Sequence, residues 1–168
     1  MPVALDFATL SLMDALDLAI LIELEAIERY RLFSEQLGHS YTGDAAGVFR
    51  MMVGHEGKHA RELNERREAL FDDTTARVSR TALYDVEAPD VGSVRWDMSP
   101  LHAYQIGLAS EKKAYAFYDQ ALLHVKDEAV RALFLELRDE EAEHVRLMEE
   151  KIAALPPEAA IGKEDLDD

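Results

Sequence analysis

Apolar residues recur at spacings of three and four along four stretches of this chain, the period of a helix with one buried face. The first stretch runs from about Leu12 to Leu37, with the seam Leu16, Ile20, Glu23, Ile27, Tyr30 and Leu37. Ser11 with Asp14 reads as its capping pair and Gly38 as its stop. The second runs from the N-cap Asp44 to about Leu70, with Ala45, Phe49, Met52, Glu56, His59 and Leu63 on one side. Ser99-Pro100 opens the third as N-cap and first-turn proline. It runs to about Val125 on Tyr104, Leu108, Glu111, Tyr115, Tyr118 and Leu122. The fourth, about Glu128 to Ala154, aligns Val130, Phe134, Leu137, Glu141, His144 and Met148, and Pro156-Pro157 ends it. Nothing in the pattern requires a strand, so the expected class is all-α.

Between the second and third stretches lies a long connection, from about Phe71 to Ser99, with Pro89, Gly92 and no sustained helical period. Structureless loops of that length are uncommon inside a compact domain. An end-to-end crossover between two αα-hairpins requires one. The expected architecture is therefore an antiparallel four-helix bundle, two αα-hairpins joined by a long crossover. It fills one domain over residues 1–155, followed by an acidic, mobile tail at 156–168. Trp96 is expected to pin the crossover to the bundle or to a neighbour. The halves also repeat: Glu23 corresponds to Glu111, Tyr30 to Tyr118, Phe49 to Phe134, Glu56 to Glu141 and His59 to His144.

Composition narrows the partners. The chain has 168 residues, enough for one well-buried core. Its net charge of −16 argues against nucleic acid and anionic membranes. No cysteine is present, which removes disulfides, thiolate zinc sites, iron–sulfur clusters and thiol catalysis together. The first residues lack a basic segment and carry Asp6, Asp14 and Asp17 within the apolar pattern. They read as neither signal peptide nor membrane span, and a cytoplasmic protein is the expectation.

Each seam carries a glutamate where a leucine would be expected, and two of them add a histidine three residues on. Residues three and seven apart share a helix face, so four carboxylates and two imidazoles point into one interior. Ionised carboxylates buried without partners cost several kcal/mol each, and a group of four would take up protons. Two divalent ions cancel the charge of four glutamates. Carboxylate with imidazole suits iron, with manganese or zinc as substitutes. Glu23, Glu56, His59, Glu111, Glu141 and His144 are the expected ligands of two metal ions. Glu56 and Glu141 would bridge, and Glu23 and Glu111 would be terminal. Tyr30 and Tyr118 lie two turns beyond Glu23 and Glu111, placed to hold ligating carboxylates from behind.

These residues carry a resemblance. One glutamate from each of two helices plus Glu-x-x-His from each of the other two is the donor pattern of ferritin-like di-iron proteins. The segments ELEAIERY, EGKHARELNE, EKKAYAFY and EEAEHVRLMEE resemble the rubrerythrin branch, over about residues 12–154. The resemblance implies a ferritin-like bundle holding two irons that reacts with hydrogen peroxide or dioxygen as a peroxidase or ferroxidase. A homodimer is expected, and the long connection would let two chains exchange hairpins, since each hairpin supplies half the ligands. Two departures stand out. Without cysteines there is no rubredoxin module, so electrons come from another protein or from ferrous iron itself. Rubrerythrins usually carry a second glutamate three residues after the one in the third helix, and here that position is Ala114. The six-donor set is closer to bacterioferritin-like centres, which favours iron oxidation.

Two rival readings remain. One is an iron-binding or storage module without turnover. The other rests on His55-Glu56-Gly57-Lys58-His59, which fits the H-E-x-x-H pattern of zinc metalloproteases. Periodicity opposes it: Glu56 and His59 share the seam, whereas His55 lies about 100° away, beside Val48 and Glu62, with Glu140 at the matching place in the second half. His55 is therefore expected off the metal site. Gly54 and Gly57 flank Glu56 and are candidates for a close helix approach, while His39, His102 and His124 lack partner spacing.

Overall fold

The computed structural model describes residues 5–38, 44–80, 86, 88–90, 92, 94–95 and 97–161. The expectations for Trp96, His39 and the end of the acidic tail fall outside those residues. Four long helices make up the fold: α1 (Leu12–Leu37), α2 (Ala45–Phe71), α3 (Pro100–Ala121) and α4 (Glu128–Ala153). No strand occurs among the described residues.

Each helix starts at a side-chain cap. Ser11, Asp44, Ser99 and Asp127 accept from the backbone N–H three residues on, at 3.1, 2.7, 3.1 and 3.0 Å. Such caps contribute about 1 kcal/mol each. Gly38 closes α1 at φ 71°, a left-handed conformation that costs glycine nothing. Helix α3 stops at Ala121, four residues short of the expected Val125. The carbonyls freed there are taken by Arg131, which donates to Leu122 O at 3.3 Å and Val125 O at 2.7 Å.

Helices α1 and α2 pack as one hairpin and α3 and α4 as the other. One apolar cluster gathers Leu16, Ile22, Leu63, Tyr118, Val130, Phe134 and Leu137. A second gathers Tyr30, Phe33, Phe49, Met52, Ala103, Ile106 and Met148. The start of α1 thus meets the end of α2, the end of α3 and the start of α4 at one pole. Helices α2 and α3 run in the same direction, as an end-to-end crossover demands. The expected all-α bundle of two hairpins is what the chain forms.

The crossover lies along α1. Arg77 pairs with Asp14 at 3.2 Å and Arg80 with Glu28 at 2.6 Å. Arg29 donates to the Pro89 carbonyl, and Lys113 donates to the Ala88 carbonyl at 2.8 Å. At its start, Arg67 is buried against Asp17 at 2.8 Å and also donates to the carbonyls of Asp72 and Thr74. Covered in this way, α1 buries Leu18, Ala19, Ala26 and Phe33 as well as five of its six seam residues, and leaves the sixth, Ile20, half-exposed.

Helix α3 departs most from its expected seam. Its buried line is Ala103, Ile106, Gly107, Ser110, Glu111, Ala114 and Tyr118, and Tyr104, Leu108 and Tyr115 flank it half-buried. The inward face is built from small residues, so α3 approaches its neighbours closely. A Cβ on Gly107 would sit 2.7 Å from Met148 Cε and 3.5 Å from Met52 Cε. Gly54 has open space there, and Gly57 meets only Arg61 at 4.0 Å, so within the chain the close approach is made at Gly107, and an approach of Gly54 and Gly57 across a dimer stays an expectation. After α4, Pro157–Ala160 form a short 3-10 helix against α3 with Ala159 buried.

Candidate metal centre

The four glutamates expected on the seams are all buried, one from each helix: Glu23 and Glu56 from the first hairpin, Glu111 and Glu141 from the second. None is more than 3% exposed. They lie between the two apolar clusters, where an interior of leucine would otherwise continue. His59 and His144 join them. His59 Nδ1 stands 3.7 Å from Glu56 Oε2 and 3.9 Å from Glu23 Oε1. His144 Nδ1 stands 3.2 Å from Glu141 Oε2 and 3.4 Å from Glu111 Oε2. Each hairpin therefore supplies one cluster of two carboxylates and an imidazole. Within each cluster the candidate ligand atoms lie within 4.8 Å of one another.

The electrostatics are those of a site that asks for cations. Glu23 Oε2, both oxygens of Glu56 and Glu111 Oε2 have no hydrogen-bond partner. Buried, unpartnered carboxylate oxygens are rare because desolvation is costly. Burial first, and then the negative charge of Glu56, hold the Glu23 carboxyl well above its ordinary range. Burial does the same to Glu141, with Glu111 adding to it. Glu56 is also pushed up by burial, but its close neighbours His59 and Glu23 outweigh this and leave it below its usual value. For His144, burial favours the neutral ring, yet Glu111 and Glu141 win and raise it to about 10. Without metal, the cluster keeps its balance by holding protons. Metal ions would take their place, and the donors present fit that role.

Tyr30 and Tyr118 are fully buried, one in each apolar cluster. Tyr30 stacks on Phe49 at 6.0 Å, and Tyr118 meets Phe134 edge-on at 5.3 Å.

His55 is where the sequence reading fails. Expected to point away, it stands half-buried against both histidines, its ring centroid 4.7 Å from His59 and 4.7 Å from His144. The cause is the neighbouring helix. Close approach of α3 to α2 widens the buried arc of α2, so a residue 100° off the seam is still inside it. Its spacing of four from His59 was the available signal. His102 and His124 are exposed. Beside the centre lies a recess of about 50 Å³ lined by Met51, Met52, His55, Glu111, His144, Leu147, Met148 and Lys151.

Among described residues no helix is long and apolar enough to cross a membrane. The sequence profile of the rubrerythrin family matches residues 14–152. Among solved structures, the chain is similar to an uncharacterized conserved protein from Magnetospirillum magnetotacticum MS-1, with 28% identity and a TM-score of 0.67. That likeness covers 88% of this chain and 97% of the other. No curated protein matches.

Proposed function

This chain belongs to the rubrerythrin family, and from that premise we propose that it is a non-haem di-iron oxidoreductase whose diferrous centre is oxidised by hydrogen peroxide or dioxygen. The observation that carries the reading is the pair of three-donor clusters, Glu23/Glu56/His59 and Glu111/Glu141/His144, with buried carboxylate oxygens left unpartnered. Glu23, Glu56 and His59 would hold one iron, and Glu111, Glu141 and His144 the other. Glu56 and Glu141 would be shared between the two ions, and Glu23 and Glu111 would each serve one. When bound, the iron pair supplies the electrons that reduce the oxidant.

The protein's own residues set the conditions. Four carboxylates balance the charge of two divalent ions, so ferrous loading neutralises a layer that would otherwise hold protons. Met52, Met148 and the two apolar clusters keep bulk water away from it. Tyr30 and Tyr118 steady the ligating carboxylates. The small recess beside the centre has room for an oxidant of two heavy atoms. A peptide has no room there, and Glu56, at 1% exposure, is not placed over an open cleft as the zinc protease reading needs. Electrons reach the centre from a partner protein or from ferrous iron, in the cytoplasm, in a homodimer.

Anaerobic ferrous loading followed by stopped-flow mixing with peroxide and, separately, dioxygen tests the reading. Two irons per chain and rapid growth of ferric absorption with at least one oxidant are expected. Glu111→Ala should lower the iron content and abolish that absorption. Two bound irons that neither oxidant oxidises would leave a storage or carrier module instead.

A further inference from the structure

Three histidine rings meet on one side of the centre, and only two were counted as donors above. The His59 and His144 rings lie parallel, 4.5 Å apart with 6° between their planes. His55 stands edge-on to both, at 64° and 70°. A nitrogen of His55 comes within 4.8 Å of ring nitrogens of His59 and His144, and a nitrogen of His55 is equally close to oxygens of Glu56 and Glu111.

We infer that His55 is a seventh metal donor of the same centre, placed where carboxylates from the two hairpins approach each other. The inference rests on the metal centre proposed above. Glu56 and Glu111 are each 1% exposed, and Glu56 Oε1, Glu56 Oε2 and Glu111 Oε2 lack hydrogen-bond partners, so this flank already lacks a cation. Charge decides between a seventh ligand and a separate third ion. A neutral imidazole joins the pair without disturbing the balance of four carboxylates against two divalent ions. A third divalent ion would leave two uncompensated positive charges in a buried layer, which desolvation opposes.

The consequence is a centre less symmetric than its repeat. The residue matching His55 in the second half, Glu140, is exposed. The extra nitrogen donor therefore comes from α2 alone. Three imidazoles also tilt the site toward iron and zinc and away from magnesium and calcium.

Full-length protein labelled with ¹⁵N in its histidine rings and loaded with zinc tests this through long-range proton–nitrogen correlation. One ring nitrogen each of His55, His59 and His144 should take the shift of a metal-bound imidazole, with His102 and His124 unchanged. His55→Ala should remove one of the three signals and weaken zinc binding by at least about tenfold, while circular dichroism stays helical. Zinc-dependent shifts at His59 and His144 alone, with unchanged affinity in His55→Ala, would overturn the inference and leave the six-donor centre standing. If the wild-type chain bound no zinc and no ferrous iron, the metal centre itself would fall, and His55 with it.

Discussion

The two hairpins carry the same three donors in the same order, yet they hold them differently. In the second hairpin His144 sits 3.2 and 3.4 Å from its carboxylates. In the first, His59 stands off at 3.7 and 3.9 Å and is more exposed. The second half is a closed triad in which burial and neighbouring charge favour the protonated forms of Glu141 and His144. The first is looser and has His55 beside it, where the second offers only solvent-facing Glu140. A repeat in sequence fixes which donors are present. It does not fix how tightly each half clasps, because that depends on what packs across the pair.

The largest effects should come from removing a carboxylate on either side. Glu23→Ala and Glu111→Ala are equivalent by sequence, and each should cut iron content from two to roughly one ion per chain, measured by metal analysis after desalting. If Glu23→Ala keeps both irons while Glu111→Ala loses one, the second hairpin alone anchors the pair.

A second contrast appears with pH in the metal-free protein. The fold raises His144 from 6.5 to about 10. The stability it contributes is fully present below about 6.5 and is lost as pH rises through about 10. Glu23 and Glu141, raised above 4.5, act in the same sense, because the fold favours their protonated forms. The metal-free melting temperature should therefore fall as pH climbs, and His144→Ala should flatten the alkaline part of that fall, on the order of a few kcal/mol. In the same metal-free protein, ferrous affinity should rise with pH over this window, since binding displaces those protons. A flat profile in the wild-type chain would contradict the raised titration of Glu23, Glu141 and His144.

Smaller differences lie in the scaffold. Arg67 is buried against Asp17 and holds two crossover carbonyls, whereas Arg138 meets Asp119 at 3.3 Å near the surface. Arg67→Ala should lower the melting temperature by several degrees and Arg138→Ala by roughly one or less. Opposite in sign, Gly54→Ala has open space and should stabilise α2 by up to about 1 kcal/mol. Gly107→Ala should gain nothing, because Met148 must move aside from the new Cβ.

Much of this was legible in the sequence, but unevenly. All six expected residues of the α4 seam are buried, because large apolar side chains mark that face without ambiguity. On α3 the inward face is alanine, glycine and serine, and a reading weighted toward bulk chose the flanking tyrosines and Leu108 instead. The candidate site residues survived that error because Glu111 and Tyr118 belong to both lines. His55 was lost for a related reason: the width of a helix's buried arc is set by how near its neighbour comes, and a single helix's periodicity does not contain that. The path of the crossover along α1 depends on Arg29, Arg77, Arg80 and Lys113 finding partners far away in the chain, which no local pattern announces.

The ligand layer divides the interior into two separate oily ends with a polar waist. Strip the metal and those ends keep their grip, while the middle holds carboxyl and imidazole groups crowded together without the cations that would draw them in. Backbone amides of the emptied protein would then exchange fastest halfway along the helices, around Glu23 and Glu111, and slowest toward the poles. That inverts the usual order, in which helices fray from their tips. It would make the bound ions the fastener for the centre of the molecule as well as its reactive part.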